Sequence, residues 1–205
     1  PDLPAGLQEF TCSKTGITSL PDLPAGLQFL ACSDTLITSL PELPAGLKHL
    51  YCSATSLTSL PDLPAGLLGL SCSNTRITSL PKLPSGLLGL SCFTTPLTSL
   101  PELPAGLRHL YCSHVQMTSL PKLPAGLKDL RCSGMPLAIH REEGETIAEY
   151  NLRWNEWRDE QASKQRVQTK NRLLKEEIIM EVYRPSRAEK ILNTYGYEVF
   201  DKWLE

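Results

Sequence analysis

The chain has 205 residues, 20% of them charged, and a formal net charge of −2, so it offers no strongly basic block and nucleic acid is not expected as a main ligand. It contains no 18-residue apolar run and no signal-peptide pattern, which argues against a membrane span. The dominant feature is internal: the unit at residues 21–40 recurs every 20 residues, from Pro1, Pro21, Pro41, Pro61, Pro81, Pro101 and Pro121, without insertion or deletion up to about Ala138.

A fixed period in this range marks a stacked array. It divides the chain into residues 1–138, a solenoid of seven 20-residue repeats without net charge, and residues 139–205, a helical C-terminal domain or cap that carries the whole net charge. The first residue lies inside the repeat phase, without Met and without the atypical unit that covers a solenoid's end, so a fragment is expected.

Within the second copy, Leu27, Leu30 and Cys32 follow L-x-x-L-x-(apolar), with Thr35 and Ile37 behind them. This resembles the leucine-rich-repeat signature, with Cys in the third apolar slot and Thr where Asn usually stands. A short strand is expected over about Phe29 to Cys32, alternate residues pointing into the core and out of a concave face. The return limb Leu40, Pro41, Glu42, Leu43, Pro44 holds two prolines three apart, which cannot continue an α-helix but fit polyproline II. Ala45 and Gly46 supply the turn into the next strand. The Asn of the resembled family bonds backbone groups of adjacent turns. The column Thr15, Thr35, Thr55, Thr75, Thr95 is expected to form a weaker ladder that fails at Val115 and Met135.

The seven cysteines, Cys12, Cys32, Cys52, Cys72, Cys92, Cys112 and Cys132, fall one per repeat. On a parallel stack they form a column spaced about 4.8 Å apart. Four members of such a column cannot converge on one zinc ion, and neighbouring rungs are poorly placed for disulfides. They are expected to be buried apolar core residues, reduced, and hence to indicate an intracellular compartment. No metal and no cofactor is expected.

L-P-x-L-P-x-x-L-x-x-L at a 20-residue period resembles the short repeats of effectors secreted by Gram-negative pathogens, some of which carry a ubiquitin-ligase domain. The resemblance covers residues 1–138 and implies a leucine-rich-repeat fold that recognises proteins. In those ligases a catalytic Cys lies in a larger C-terminal domain, and residues 139–205 contain no Cys.

On the outward strand positions one column reads Glu9, Phe29, His49, Gly69, Gly89, His109, Asp129, and the next Thr11, Ala31, Tyr51, Ser71, Ser91, Tyr111, Arg131. A nearly constant Ser column follows, broken only by Phe93. Exposed aromatics on a rigid sheet are the residue types enriched at interaction hot spots. The expected partner-binding set is therefore Phe29, His49, Tyr51, Phe93, His109, Tyr111 and Arg131. The shared HLYCS of repeats 3 and 6 also follows from duplication of a block without selection for binding. A metal bridge between His49 and His109 is ruled out by three rungs, about 14 Å, and a Cys112–His114 dyad is not expected because the thiol faces the core.

Beyond Pro136 the pattern turns helical. Ile147, Tyr150, Trp154 and Trp157 make one stripe from a helix start near Glu145, and Val167, Leu174, Ile178 and Val182 a second. A hairpin turning near residues 161–169 is expected to separate them. Pro185 and Ser186 open a further short helix ended by Gly196, before a last turn with Val199, Phe200, Trp203 and Leu204. The three tryptophans cover the last repeat or pack among themselves; alternatively Trp154, Trp157 and Trp203 dock into a partner. Met180, the run Arg184, Pro185, Ser186, Arg187, Ala188, and then Leu192 to Gly196 resemble a C-terminal module of large nucleocytoplasmic DNA virus proteins. That resemblance implies a giant-virus origin and no chemistry.

Together these readings describe a right-handed, curved α/β-type repeat solenoid with a parallel concave sheet, an extended convex side and an all-helical C-terminal part. No catalytic triad, phosphate loop or metal cluster is visible, so no enzyme activity is expected. The first expected role is a scaffold binding a host protein through the concave face. Alternatives are a virion or capsid component docked by its tail, and the recognition part of a ligase whose catalytic domain is absent. The expected location is the host cytoplasm or a virion.

Overall fold

The computed structural model describes residues 3–137, 139–142 and 144–182, with side chains through 176. Seven three-residue strands, β1 (Glu9–Thr11), β2 (Phe29–Ala31), β3 (His49–Tyr51), β4 (Gly69–Ser71), β5 (Gly89–Ser91), β6 (His109–Tyr111) and β7 (Asp129–Arg131), form one parallel sheet in sequence order. Register is strict: Phe29 lies opposite Glu9 and His49, and each strand pairs residue for residue with the copy 20 positions on. The chain thus forms the leucine-rich-repeat solenoid that its period predicts.

Each rung closes on side chains the period repeats. In the second, Leu27, Leu30, Cys32 and Ile37 are all fully buried, as are Leu47, Leu50, Cys52 and Leu57 in the third. Burying each such Leu or Ile contributes roughly 1.5–3 kcal/mol. The Pro-Ala-Gly-Leu turn forms as expected, Leu47 N–H donating to Pro44 C=O at 3.0 Å. No α-helix occupies the limbs between strands among the described residues, as two prolines per limb require.

The polar columns divide their labour differently from the expectation. Each Thr hydroxyl bonds inside its own rung: Thr35 Oγ1 donates to Cys32 C=O at 2.8 Å, Thr55 to Cys52 and Thr75 to Cys72 likewise. The links between rungs come from the Ser column instead. Ser33 N–H donates to Ser13 Oγ, Ser53 N–H to Ser33 Oγ and Ser73 N–H to Ser53 Oγ, each at 3.1 Å. A Thr hydroxyl one bond from a stiff Cβ reaches its own turn but not the next rung, whereas an Asn amide is longer. The Ser column, expected to line the binding face, is therefore in large part a structural seam.

After each of these serines, and after Phe93, the chain takes a left-handed residue: Lys14, Asp34, Ala54, Asn74, Thr94 and His114 have φ between 53 and 59°, and Gly134 has φ 68°. Such conformations cost a non-glycine residue roughly 1–2 kcal/mol. The N–H of each non-glycine member donates to the next rung, as Asp34 N–H does to Ser53 C=O at 2.9 Å. A second set of links, Leu36 to Ile17, Ser56 to Ile37 and Arg76 to Leu57, stops where Pro96 has no N–H to give.

The chain divides into two compact units, Pro1–Glu156 and Trp157–Glu205. One helix, α1 (Ile147–Val182), runs where a hairpin was expected. Residues 161–169 hold neither Gly nor Pro and are mostly strong helix formers, so nothing there breaks the helix. Its start is a capping box: Glu149 N–H donates to Thr146 Oγ1 at 3.2 Å, and Thr146 N–H to Glu149 Oε2 at 2.8 Å.

Within the first unit, the opening turns of α1 cover the last repeat. Tyr150 and Trp154 are fully buried, and Trp154 Nε1 donates to Pro121 C=O at 3.4 Å. Asn151 Nδ2 donates to Pro124 C=O, while Asn155 both donates to Leu123 C=O and accepts from Leu123 N–H. These bonds satisfy backbone groups of an extended limb that has no further rung beside it. In the second unit Val167 and Leu174 are exposed. The short helix expected from Pro185, the last turn with Trp203, and the virus-type segment from Arg184 on lie outside the described residues, as do the side chains of Ile178, Met180 and Val182.

Candidate protein-binding surface

Because strands alternate, positions 9 and 11 of each repeat stand outward and their neighbours on adjacent rungs are the residues 20 before and after. On β2 and β3 this brings Phe29, His49 and Tyr51 together. The Phe29 and Tyr51 ring centres are 5.4 Å apart, and His49 and Tyr51 stack at 6.3 Å with planes 7° apart. The His49 ring leans over β4, where a Cβ on Gly69 would come within 2.9 Å of Nδ1, an atom that is buried and has no hydrogen-bond partner. Tyr51 is 37% exposed.

Next to this cluster the sheet is bare. Gly69, Gly89, Ser71 and Ser91 face outward, and a Cβ at Gly89 would meet nothing within 4 Å. Ser71 and Ser91 bond Ser53 and Ser73 at 2.8 and 2.9 Å. Leu88, just before β5, is exposed as well.

A second cluster follows on β6 and β7. Tyr111 O–H donates to Asp129 Oδ2 at 2.7 Å, the Arg131 guanidinium lies 5.1 Å from the Tyr111 ring centre, and Arg131 Nε stands 3.9 Å from the same carboxylate oxygen. The bond to Asp129 holds the Tyr111 phenol above its ordinary range. The His109 and Tyr111 ring centres are 6.5 Å apart. Beside them a depression of about 490 Å³ is lined by Phe93, Tyr111, Ser113, His114, Arg131 and Ser133.

The seven outward residues singled out in the sequence thus fall in two groups: Phe29, His49 and Tyr51 in one, and His109, Tyr111 and Arg131 with Phe93 in the other. Asp129, His114, Ser113 and Ser133 were not in the expected partner-binding set. Asp129 is visible as the register partner of His109, while His114 needs the left-handed turn that brings its ring over Gly134. Of the tail residues, Trp154 is fully buried over the last repeat, and Trp203 lies outside the described residues.

The cysteine column lies beneath both clusters. All seven thiols are free, and five, from Cys32 to Cys112, are fully buried. Burial pushes Cys32, Cys72 and Cys112 up to about 12, and Cys52 and Cys92 well above the ordinary thiol range. A protonated Cys112 facing the core, with His114 exposed on the following loop, forms no nucleophile–base pair. Among the described residues no group of three or more His, Cys, Asp or Glu is placed to hold a metal, and no helix is long and apolar enough to cross a membrane.

No protein-family model and no curated protein matches the sequence. Solved structures do. YopM from Yersinia enterocolitica is 36% identical over 67% of this chain and 31% of that one, with a TM-score of 0.67. A Shigella effector leucine-rich-repeat domain is 30% identical over 65% of this chain and 72% of that one, with a TM-score of 0.59. The chain spans about a third of YopM and most of the Shigella domain. It belongs to the leucine-rich-repeat proteins, in the class found in these bacterial effectors.

Proposed function

We propose that this protein is a non-catalytic scaffold that binds a partner protein through the concave sheet face. The observation that carries this reading is the pair of aromatic clusters, Phe29–His49–Tyr51 and His109–Tyr111 with Arg131, held on one rigid sheet and separated by small residues. Rigid aromatic anchors bind at low entropic cost, and the Gly and Ser floor lets a partner's backbone approach. The likeness to effector repeat domains supports a protein as the partner, and the reduced thiol column fits a reducing compartment such as a host cytoplasm.

Two other readings attach to particular segments. The virus-type segment of residues 180–196 supports a virion or capsid component of a giant virus, with the array as spacer and the tail as dock. The likeness to effectors supports the recognition part of a ubiquitin ligase, whose catalytic Cys would have to come from elsewhere. Quantitative affinity capture separates the concave-face and tail readings by comparing the full chain, Tyr51→Ala/Tyr111→Ala, and a chain ending at Glu156, which keeps the cover on the last repeat; ubiquitin transfer to the captured protein is what the ligase reading further requires. Loss on the double substitution with retention by the shortened chain supports the concave face. The converse result transfers the role to the tail.

A further inference from the structure

Building on the concave-face reading, we infer that the depression over β5–β7 seats an anionic side chain of the partner, a carboxylate or a phosphorylated hydroxyl, with an adjacent apolar residue of the same segment resting on Phe93. Duplication copies residues down a column at intervals of 20. Three of the six residues lining this depression, Phe93, His114 and Arg131, are copies of no other residue in their columns. Phe93 is the one departure from the Ser column, Arg131 follows Tyr111, Ser91 and Ser71 in its own column, and His114 occupies the left-handed position held elsewhere by Lys, Asp, Ala, Asn, Thr and Gly. Phe93 and Arg131, each a departure in its own column, meet His114 in one cavity of about 490 Å³, and block duplication does not account for that half of the lining.

The cavity's charge selects the ligand. The Arg131 side chain is 71% exposed, and its guanidinium is oriented by the Tyr111 face and by Asp129. Asp129 is the one acid on the outward face of these last two rungs, and it is engaged by Tyr111 O–H and Arg131, whereas Arg108 and Lys128 add two further cations just before β6 and β7. Ser133 donates to Ser113 Oγ at 3.1 Å, which leaves the Ser113 hydroxyl proton to donate outward. His114 has room to lie over the turn that follows β7 because Gly134 has no Cβ; one placed there would come within 2.5 Å of Nδ1. An anion entering the cavity meets the Arg131 guanidinium and the Ser113 hydroxyl already in place, and charge-assisted hydrogen bonds of the guanidinium kind are the strong ones. Phe93, 38% exposed, provides the apolar wall beside it.

The test is selection on the full chain from two probes: a display library of random 15-residue peptides, and a synthetic library of the same length centred on phosphoserine. Recovered peptides are expected to pair Asp or Glu, or the phosphoserine, with a neighbouring apolar residue, and which library yields binders identifies the source of the anion. Arg131→Glu and Phe93→Ser should each weaken them at least about tenfold, Arg131→Lys less, and added salt should weaken binding further. Neutral or basic peptides, no enrichment, or displacement by a single-stranded RNA oligomer overturns the proposal. Peptides lost on Tyr51→Ala/Tyr111→Ala but indifferent to Arg131→Glu and Phe93→Ser overturn the anion seat alone and leave the concave face standing. Peptides indifferent to all four variants sink both.

Discussion

Strands β3 and β6 carry the same three residues, His-Leu-Tyr, on the same sheet, with Leu50 and Leu110 both fully buried beneath them. Their outward faces nonetheless differ. His49 and Tyr51 stack within 7° of parallel and pack against Phe29, while His109 and Tyr111 are inclined at 33° and Tyr111 is committed to Asp129 and Arg131. The neighbouring rungs are the cause. Phe29 and Gly69 flank the first pair, one supplying a ring and the other the space a ring leans into; Gly89 and Asp129 flank the second. In a stacked array the chemistry of a rung is set by the residues 20 before and 20 after as much as by its own.

The largest test concerns the floor both rungs share. Burial raises the folded pKa of Cys32, Cys72 and Cys112 to about 12, whereas an unfolded thiol ionises near pH 8.5. A raised pKa contributes stability that is present in full below the unfolded value and is lost as pH climbs through the folded one. Each such thiol costs about 1.4 kcal/mol per pH unit, so the three together cost about 4 kcal/mol per unit above about pH 9. Circular dichroism and the ionisation of the five buried thiols should therefore change together and steeply between about pH 9 and 11. Ionisation of more than the two part-buried thiols, Cys12 and Cys132, while the sheet persists would contradict a common dry floor.

Next in size, Leu50→Ala and Leu110→Ala should each cost about 2–5 kcal/mol in denaturant titrations, and agree within about 1 kcal/mol. A larger gap would mean that the two rungs are not equivalent below the sheet. Smaller and local, Phe29→Ala should cost about 1 kcal/mol and change the environments of Tyr51 and His49 while leaving Tyr111 untouched. Asp129→Asn should lower the Tyr111 titration midpoint, read by NMR, because the carboxylate that favours the protonated phenol is gone. The smallest effect is a gain: Thr94→Gly relieves a β-branched residue at φ 53° and, after glycine's entropy cost, should add about 0.5 kcal/mol.

The period made the strands, the buried leucines and cysteines and the extended limbs readable, because each follows from local chemistry repeated in register. What escaped were features that depend on reach. Whether Ser or Thr bridges rungs turns on where a hydroxyl lies after the backbone enters a left-handed turn, and that turn accepts Lys, Asp and Ala alike, so no residue type announces it. The absence of a hairpin in α1 was legible from the absence of Gly and Pro, but the switch between two apolar stripes suggested a turn. In the candidate site, Phe93, Tyr111 and Arg131 were visible as outward residues. That they converge with His114 required the geometry of Gly134.

The seam of serines between rungs also has a mechanical side. Each junction in the first rungs is closed by much the same hydrogen bonds, Ser53 N–H to Ser33 Oγ repeating Ser33 N–H to Ser13 Oγ. A chain pulled along the stack would be resisted by one junction at a time, not by all in parallel. Each rupture frees 20 residues, about 65–70 Å of extended chain, in exchange for a single strand spacing of about 4.8 Å. The first rungs thus form a series of like catches with a long reserve of chain behind each.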